Sequence, residues 1–202
     1  MRQRRWDADA HACLAHWAAR HLPLVITRQR PGDDEHLSLG LAAPVQWQRR
    51  RIALEAEMGD VLYFDEFPAA DAAARLLPVA RRSAWLTLVR QLGDLGAAPR
   101  IYGSFGWQQL TGLSYISARS DLDLRMAAHD AAAADAVAAV LAGSDLTTPR
   151  LDGEIVFPDG AAVAWREWQL WRAGRADRIL VKRLRGVTME TSDAWLVDRT
   201  PC

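Results

Sequence analysis

Net charge, lysine and cysteine are the scarce commodities of this 202-residue sequence. Its 25 basic and 25 acidic side chains cancel to a formal charge of zero. A chain that binds a polynucleotide as its main partner carries a basic excess against the phosphates, so no nucleic-acid partner is expected. Lys182 is the single lysine, and arginine supplies the other cations. The two cysteines, Cys13 and Cys202, sit near opposite ends without framework spacing and read as reduced thiols. No apolar run approaches the roughly 18 residues that cross a bilayer. The basic start, MRQRRW, is not followed by the apolar core of a signal peptide. These absences predict a soluble, cytoplasmic protein with no membrane partner.

Apolar residues are plentiful at 50%, and nine tryptophans supply large surfaces to bury. The length allows one large or two small domains. Asp7 to Arg20 is alanine-rich with helical spacing, and Asp7 or Asp9 is placed to cap it. Strands are expected over Leu22–Thr27, over the alternating Leu37, Leu39 and Leu41, over Arg49–Glu57, and after the turn that opens MGDVLYFDEF. Helices are expected over Asp71–Leu77, Ser83–Leu92, Trp107–Leu113 and Asp130–Leu141. LDGEIVF and AAVAWR flank Pro158-Asp159-Gly160 as a hairpin, and Arg178–Leu184 offers a last strand or buried helix.

The chemistry concentrates between Ile101 and Arg125, in IYGSFGWQQLTGLSYISARSDLDLR. Asp121 and Asp123 alternate with Leu122 and Leu124, so on a strand both carboxylates share a face. Neighbouring carboxylates repel unless a cation lies between them. Gly103 and Ser104 let backbone N–H groups and a hydroxyl come close to an anion. A phosphate cradle beside paired carboxylates suits phosphoryl or nucleotidyl transfer. The reading demands that Gly103-Ser104 and the two aspartates meet in space.

A Gly-Ser pair opening a helix, followed by D-x-D on the next strand, resembles the signature of the nucleotidyltransferase superfamily typified by DNA polymerase β. Sixteen residues separate Ser104 from Asp121, more than is usual there, so an extra loop is expected around Tyr115 to Arg119. That insert is expected to shape the pocket of the donor or of the acceptor. The superfamily uses a third carboxylate on a later strand, and Asp152 or Glu154 in LDGEIVF can supply it. Asp152 fits better, while Glu154 reads equally well as a solvent-facing hairpin residue.

YGSFGWQQLTGLSY, SDLDL, LDGEIVFPDGAAVAWREW and ILVK resemble the malonate decarboxylase holo-acyl-carrier-protein synthase family, whose members are phosphoribosyl-dephospho-CoA transferases. PLVITRQ, LSLGLAAP and RRRIAL are similar to that family's N-terminal part. The resemblance implies an α+β protein, with a small N-terminal α+β domain over 1–77. A polymerase-β-like nucleotidyltransferase domain with a mixed sheet would occupy 78–202. It implies transfer from 2′-(5″-triphosphoribosyl)-3′-dephospho-CoA to a serine of the acyl-carrier subunit of malonate decarboxylase, with release of pyrophosphate. Asp121, Asp123 and Asp152 would hold Mg²⁺, Gly103 and Ser104 the triphosphate, and Asp152 could take the serine proton.

Arg166 and Lys182 are candidate cations for the polyphosphate, each as readily a surface charge. Arg49, Arg50 and Arg51 read as a solvated strand edge or as a contact for phosphates or an acidic carrier. Trp165, Trp168 and Trp171 suit a core better than an adenine platform. The histidines show no metal-ligand spacing. Two competing readings are a nucleotidyltransferase that adenylylates another hydroxyl, and a binding protein that has lost catalysis.

Overall fold

Helix α1 (Ala8–Ala19) starts where the Asp7 carboxylate accepts the N–H of Ala10 at 3.0 Å, satisfying one of the free donors of the first turn. The structure is a computed structural model that describes residues 6–32 and 34–196, and Cys202 lies outside them. Ala10, Cys13 and Trp17 make the buried stripe of α1 and share a hydrophobic cluster with Leu41 and Ile52. Those two come from a three-stranded antiparallel sheet of β1 (Val25–Ile26), β2 (His36–Ala42) and β3 (Arg51–Glu57). Leu37, Leu39 and Leu41 all point inward, as their alternation requires.

Two expected strands change here. The one over Leu22–Thr27 shrinks to two residues, because the Leu22 N–H donates to the Trp17 carbonyl and the Trp17 indole donates to the Pro23 carbonyl. The strand expected within MGDVLYFDEF does not form. After a 3-10 turn at Met58–Asp60 the chain crosses to a second sheet, leaving Leu62, Tyr63 and Phe64 exposed. The Pro68 carbonyl then accepts from Ile101, pinning the crossing to the second sheet's edge.

That sheet has six strands in chain order: β4 (Arg100–Tyr102), β5 (Leu122–Ala127), β6 (Leu151–Val156), β7 (Ala162–Ala164), β8 (Ile179–Arg183) and β9 (Gly186–Glu190). Only β5 and β6 are parallel, so the sheet is mixed and the protein is of the α+β class. A parallel pair needs a crossover, and α4 (Ala131–Ala142) supplies it. Helices α2 (Val79–Asp94), α4 and α5 (Trp165–Arg172) cover one face of the sheet. Trp85, Leu88 and Leu92 of α2 pack there with Leu122, Leu124 and Ile155. The opposite face carries Asp123, Asp152, Glu154 and Lys182.

Several boundaries differ from sequence expectation for local reasons. Residues 70–76 form a 3-10 helix, and α2 starts at Val79 directly after Pro78, whose fixed φ suits a helix start. The AAVAWR strand stops at Ala164, because Trp165 opens α5 and buries itself with Trp168 in the core. β9 forms in the tail, where no element is expected from the pattern of residues.

Helix α3 (Gly103–Thr111) leads into the insert of residues 112–121. Tyr115 stacks on Trp107, with ring centroids 6.2 Å apart, and its hydroxyl donates to the Ala42 carbonyl at 2.7 Å. Val45 donates to Ser114, and Arg49 to the Tyr115 carbonyl. The insert therefore fastens the second sheet to the first. Tyr115→Phe leaves the Ala42 carbonyl without this partner. It should cost about 1–2 kcal/mol in urea unfolding with an unchanged m-value. No loss of stability would mean that this bond does not couple the two parts.

Candidate active site

Antiparallel pairing sets Tyr102 of β4 opposite Asp123, and parallel pairing sets Asp152 of β6 on the other side of Asp123. Neighbouring strands lie about 4.8 Å apart, so the two carboxylates are adjacent on the open face. β6 runs so close to β5 that a Cβ on Gly153 would stand 1.9 Å from the Leu124 carbonyl oxygen. Gly103 opens α3 directly after Tyr102, with φ +58°. A Cβ there would lie 1.8 Å from the Asp123 carboxylate. The helix start and Asp123 are thus in van der Waals contact across the insert. Ser104 follows as the second residue of α3 and is partly exposed.

Asp121 precedes β5 rather than lying in it, and its carboxylate is held by Arg150. The guanidinium donates to Asp121 at 2.5 and 3.1 Å and to Asp152 at 3.0 Å. These bonds keep the Asp121 pKa below the ordinary carboxylate value. Asp123 moves the other way. Burial first, then repulsion from Asp152 and Asp121, push its pKa up to about 6, partly offset by Arg150. Tyr102 is raised by burial and by the nearby Glu154, Asp123 and Asp152, so its hydroxyl stays neutral and able to donate.

Glu154 is engaged by Lys182, whose ammonium donates to it at 2.5 Å. The reach is possible because β7 places only Ala162 and Ala164 between them. Of the two candidate third carboxylates, Asp152 is therefore the neighbour of Asp123, and Glu154 is ion-paired one step further along. Arg166 donates to the Leu151 carbonyl at 2.9 Å, stacks over Trp165 at 4.2 Å, and helps to lower the Asp121 pKa. Arg49 and Arg50 are tied to the Tyr115 carbonyl and to Asp7, far along the chain from these carboxylates. Arg150 escaped the sequence reading, although Arg150, Asp152 and Glu154 alternate and so share a face.

Among the described residues, no three or more His, Cys, Asp or Glu side chains converge into a ready metal cage. The donor set still fits a hard divalent cation. It is all oxygen, and its crowded negative charge already draws a guanidinium across Asp121 and Asp152. Asp121, Asp123 and Asp152 are the residues that would hold such a cation, and Arg150 now neutralises two of them.

Comparison with known proteins decides the family. Residues 67–193 match the family described as "Phosphoribosyl-dephospho-CoA transferase MdcG C-terminal domain", and residues 2–67 match its N-terminal counterpart. A phosphoribosyl-dephospho-CoA transferase of Bradyrhizobium diazoefficiens is 35% identical over 193 residues, covering 94% of this chain and 82% of the relative. One from Xanthomonas campestris pv. campestris is 34% identical, covering 92% and 86%. One from Pseudomonas fluorescens is 28% identical, covering 85% and 79%. The chain belongs to the phosphoribosyl-dephospho-CoA transferase family. No solved structure matches it significantly. No helix among the described residues is long and apolar enough to cross a membrane.

Two outcomes test the geometry. Gly103→Ala and Gly112→Ala both place a side chain at positive φ, but nothing lies within 4 Å of a Cβ at Gly112. Both should lose about 1–2 kcal/mol from backbone strain, with a further loss at Gly103 alone from the collision with Asp123. Equal losses in urea unfolding would contradict that contact. The second outcome concerns pH. Asp123 has a folded pKa above its unfolded value of 3.8, so its stabilising protonated state is complete below pH 4 and is lost as pH rises through 6. Without divalent cations, Asp123→Asn should be more stable than wild type at pH 8 by on the order of 1 kcal/mol, discounted for partial solvent screening. The two should converge below pH 4; parallel thermal profiles would refute the crowding.

Proposed function

We propose that the chain transfers the phosphoribosyl-dephospho-CoA group from 2′-(5″-triphosphoribosyl)-3′-dephospho-CoA to a serine of the acyl-carrier subunit of malonate decarboxylase, with Mg²⁺. The observation that carries this reading is the contact of Gly103 with Asp123, with Asp152 beside it, in a chain of this family. Asp121, Asp123 and Asp152 would hold the cation. When bound, Mg²⁺ would neutralise charge on the phosphates and on the departing pyrophosphate.

The residues of the chain supply position and proton transfer. The start of α3 offers the Gly103 backbone and the Ser104 hydroxyl to the triphosphate. The carrier serine oxygen attacks the phosphorus nearest the ribose, forming a phosphodiester as the bond to pyrophosphate breaks. Asp152, on the same open face, is placed to accept the serine proton. The neutral Tyr102 hydroxyl can donate to a phosphate oxygen in the same row.

The test is a mass measurement on the purified carrier subunit incubated with the chain, the precursor and Mg²⁺. The serine should gain the phosphoribosyl-dephospho-CoA mass, a chelator should stop the gain, and added Mg²⁺ should restore it. Asp123→Asn and Asp152→Asn should lower the rate by about a hundredfold or more, the scale of losing one charge-stabilising group. An unmodified carrier would sink the reading. An AMP-sized gain with ATP as donor would favour adenylyl transfer instead.

A further inference from the structure

Beside the carboxylates, a pocket of about 330 Å³ opens between the end of α4 and the start of α5. Arg150 and Arg166 line it with Ser144, Thr147 and Trp165, and no acidic side chain does. In a protein of zero net charge, two guanidiniums without a carboxylate in the same wall make a local anion site. The indole N–H of Trp165 is buried and has no hydrogen-bond partner among the described residues, so a wall residue carries an unused donor. The volume is at the small end of ligand pockets, which run roughly 300–1,000 Å³. It suits a diphosphate rather than a whole nucleotide-pantetheine donor.

The two arginines differ in how they are held. Arg166 is fixed by its bond to the Leu151 carbonyl and by its stack on Trp165, leaving other N–H donors free. Arg150 is 57% exposed, and its bonds reach out of the pocket to Asp121 and Asp152. A solvated ion pair of this kind exchanges readily. We propose that this pocket is a diphosphate subsite for the donor, with Arg166 as its fixed wall and Arg150 as a movable one. Arg150 would turn into the pocket were Asp121 and Asp152 to hold a divalent cation in its place. The inference rests on the transfer reading, since it assigns one part of that donor.

Isothermal titration with inorganic pyrophosphate, in the presence of a chelator, tests the pocket without any catalysis. Arg166→Gln should weaken binding at least tenfold, and so should Thr147→Glu, which puts a negative charge in the lining while keeping both arginines. Asp121→Asn frees Arg150 from one of its partners and should tighten binding severalfold. In the double variant Asp121→Asn/Arg150→Gln that gain should vanish. If it persists, only the general field has changed, and the movable role of Arg150 is overturned. The donor has a second diphosphate, in its dephospho-CoA part, so dephospho-CoA is titrated in parallel. The ligand whose affinity follows Arg166 and Thr147 identifies the end that the pocket holds. If neither follows them in variants with native circular dichroism, the subsite is wrong. Arginine-dependent diphosphate binding without any gain of mass on the carrier serine would keep the pocket and sink the transfer. A wild-type transfer rate and donor KM in Arg166→Gln would do the reverse.

Discussion

The parallel pairing of β5 with β6 is the constraint on which the rest depends. Its register puts Leu122 against Leu151 and Met126 against Ile155 in the core, so Asp123 and Asp152 fall together on the open face. A slip of one residue would send both carboxylates into the core and both leucines out. Burying an unpaired carboxylate costs far more than the couple of kcal/mol that a buried leucine contributes. The hydrophobic core therefore positions the polar row.

The same closeness creates an electrostatic demand. Gly103 lets the start of α3 touch the Asp123 carboxylate, and Gly153 lets β6 approach β5, so the acidic groups cannot spread apart. The result is a raised Asp123 pKa and a guanidinium drawn across Asp121 and Asp152. Crowded carboxylate charge, partly neutralised by Arg150, thus stands directly beside the start of α3.

The insert between α3 and β5, expected to shape the donor or carrier-protein pocket, makes contacts with the N-terminal part. Trp107 and Tyr115 enter the same hydrophobic cluster as Trp17 and Leu41, and Phe67 meets Trp107 edge-on at 5.7 Å. Arg49 and Arg50, which could have been phosphate contacts, are spent on holding that junction and capping residue Asp7. The first sheet thus braces the segment that joins the two halves of the carboxylate site.

By itself the sequence determined which side chains share a face. Alternation in SDLDL and LDGEIV placed Asp123, Asp152 and Glu154 opposite the leucines and isoleucine of the core, and the structure keeps that division. The helix over 131–142 and the antiparallel turn at Pro158-Asp159-Gly160 were equally legible, since caps, alanine runs and turn residues act locally. Arg150 was legible in principle as an alternate neighbour of Asp152, but it precedes β6 and nothing local shows what it faces. Only the tertiary structure decided that Asp152 rather than Glu154 lies beside Asp123, that Lys182 reaches Glu154 over two alanines, and that Arg150 bridges two carboxylates. Periodicity along a chain reports the face a residue takes; which strand lies alongside is settled by packing between segments far apart in sequence.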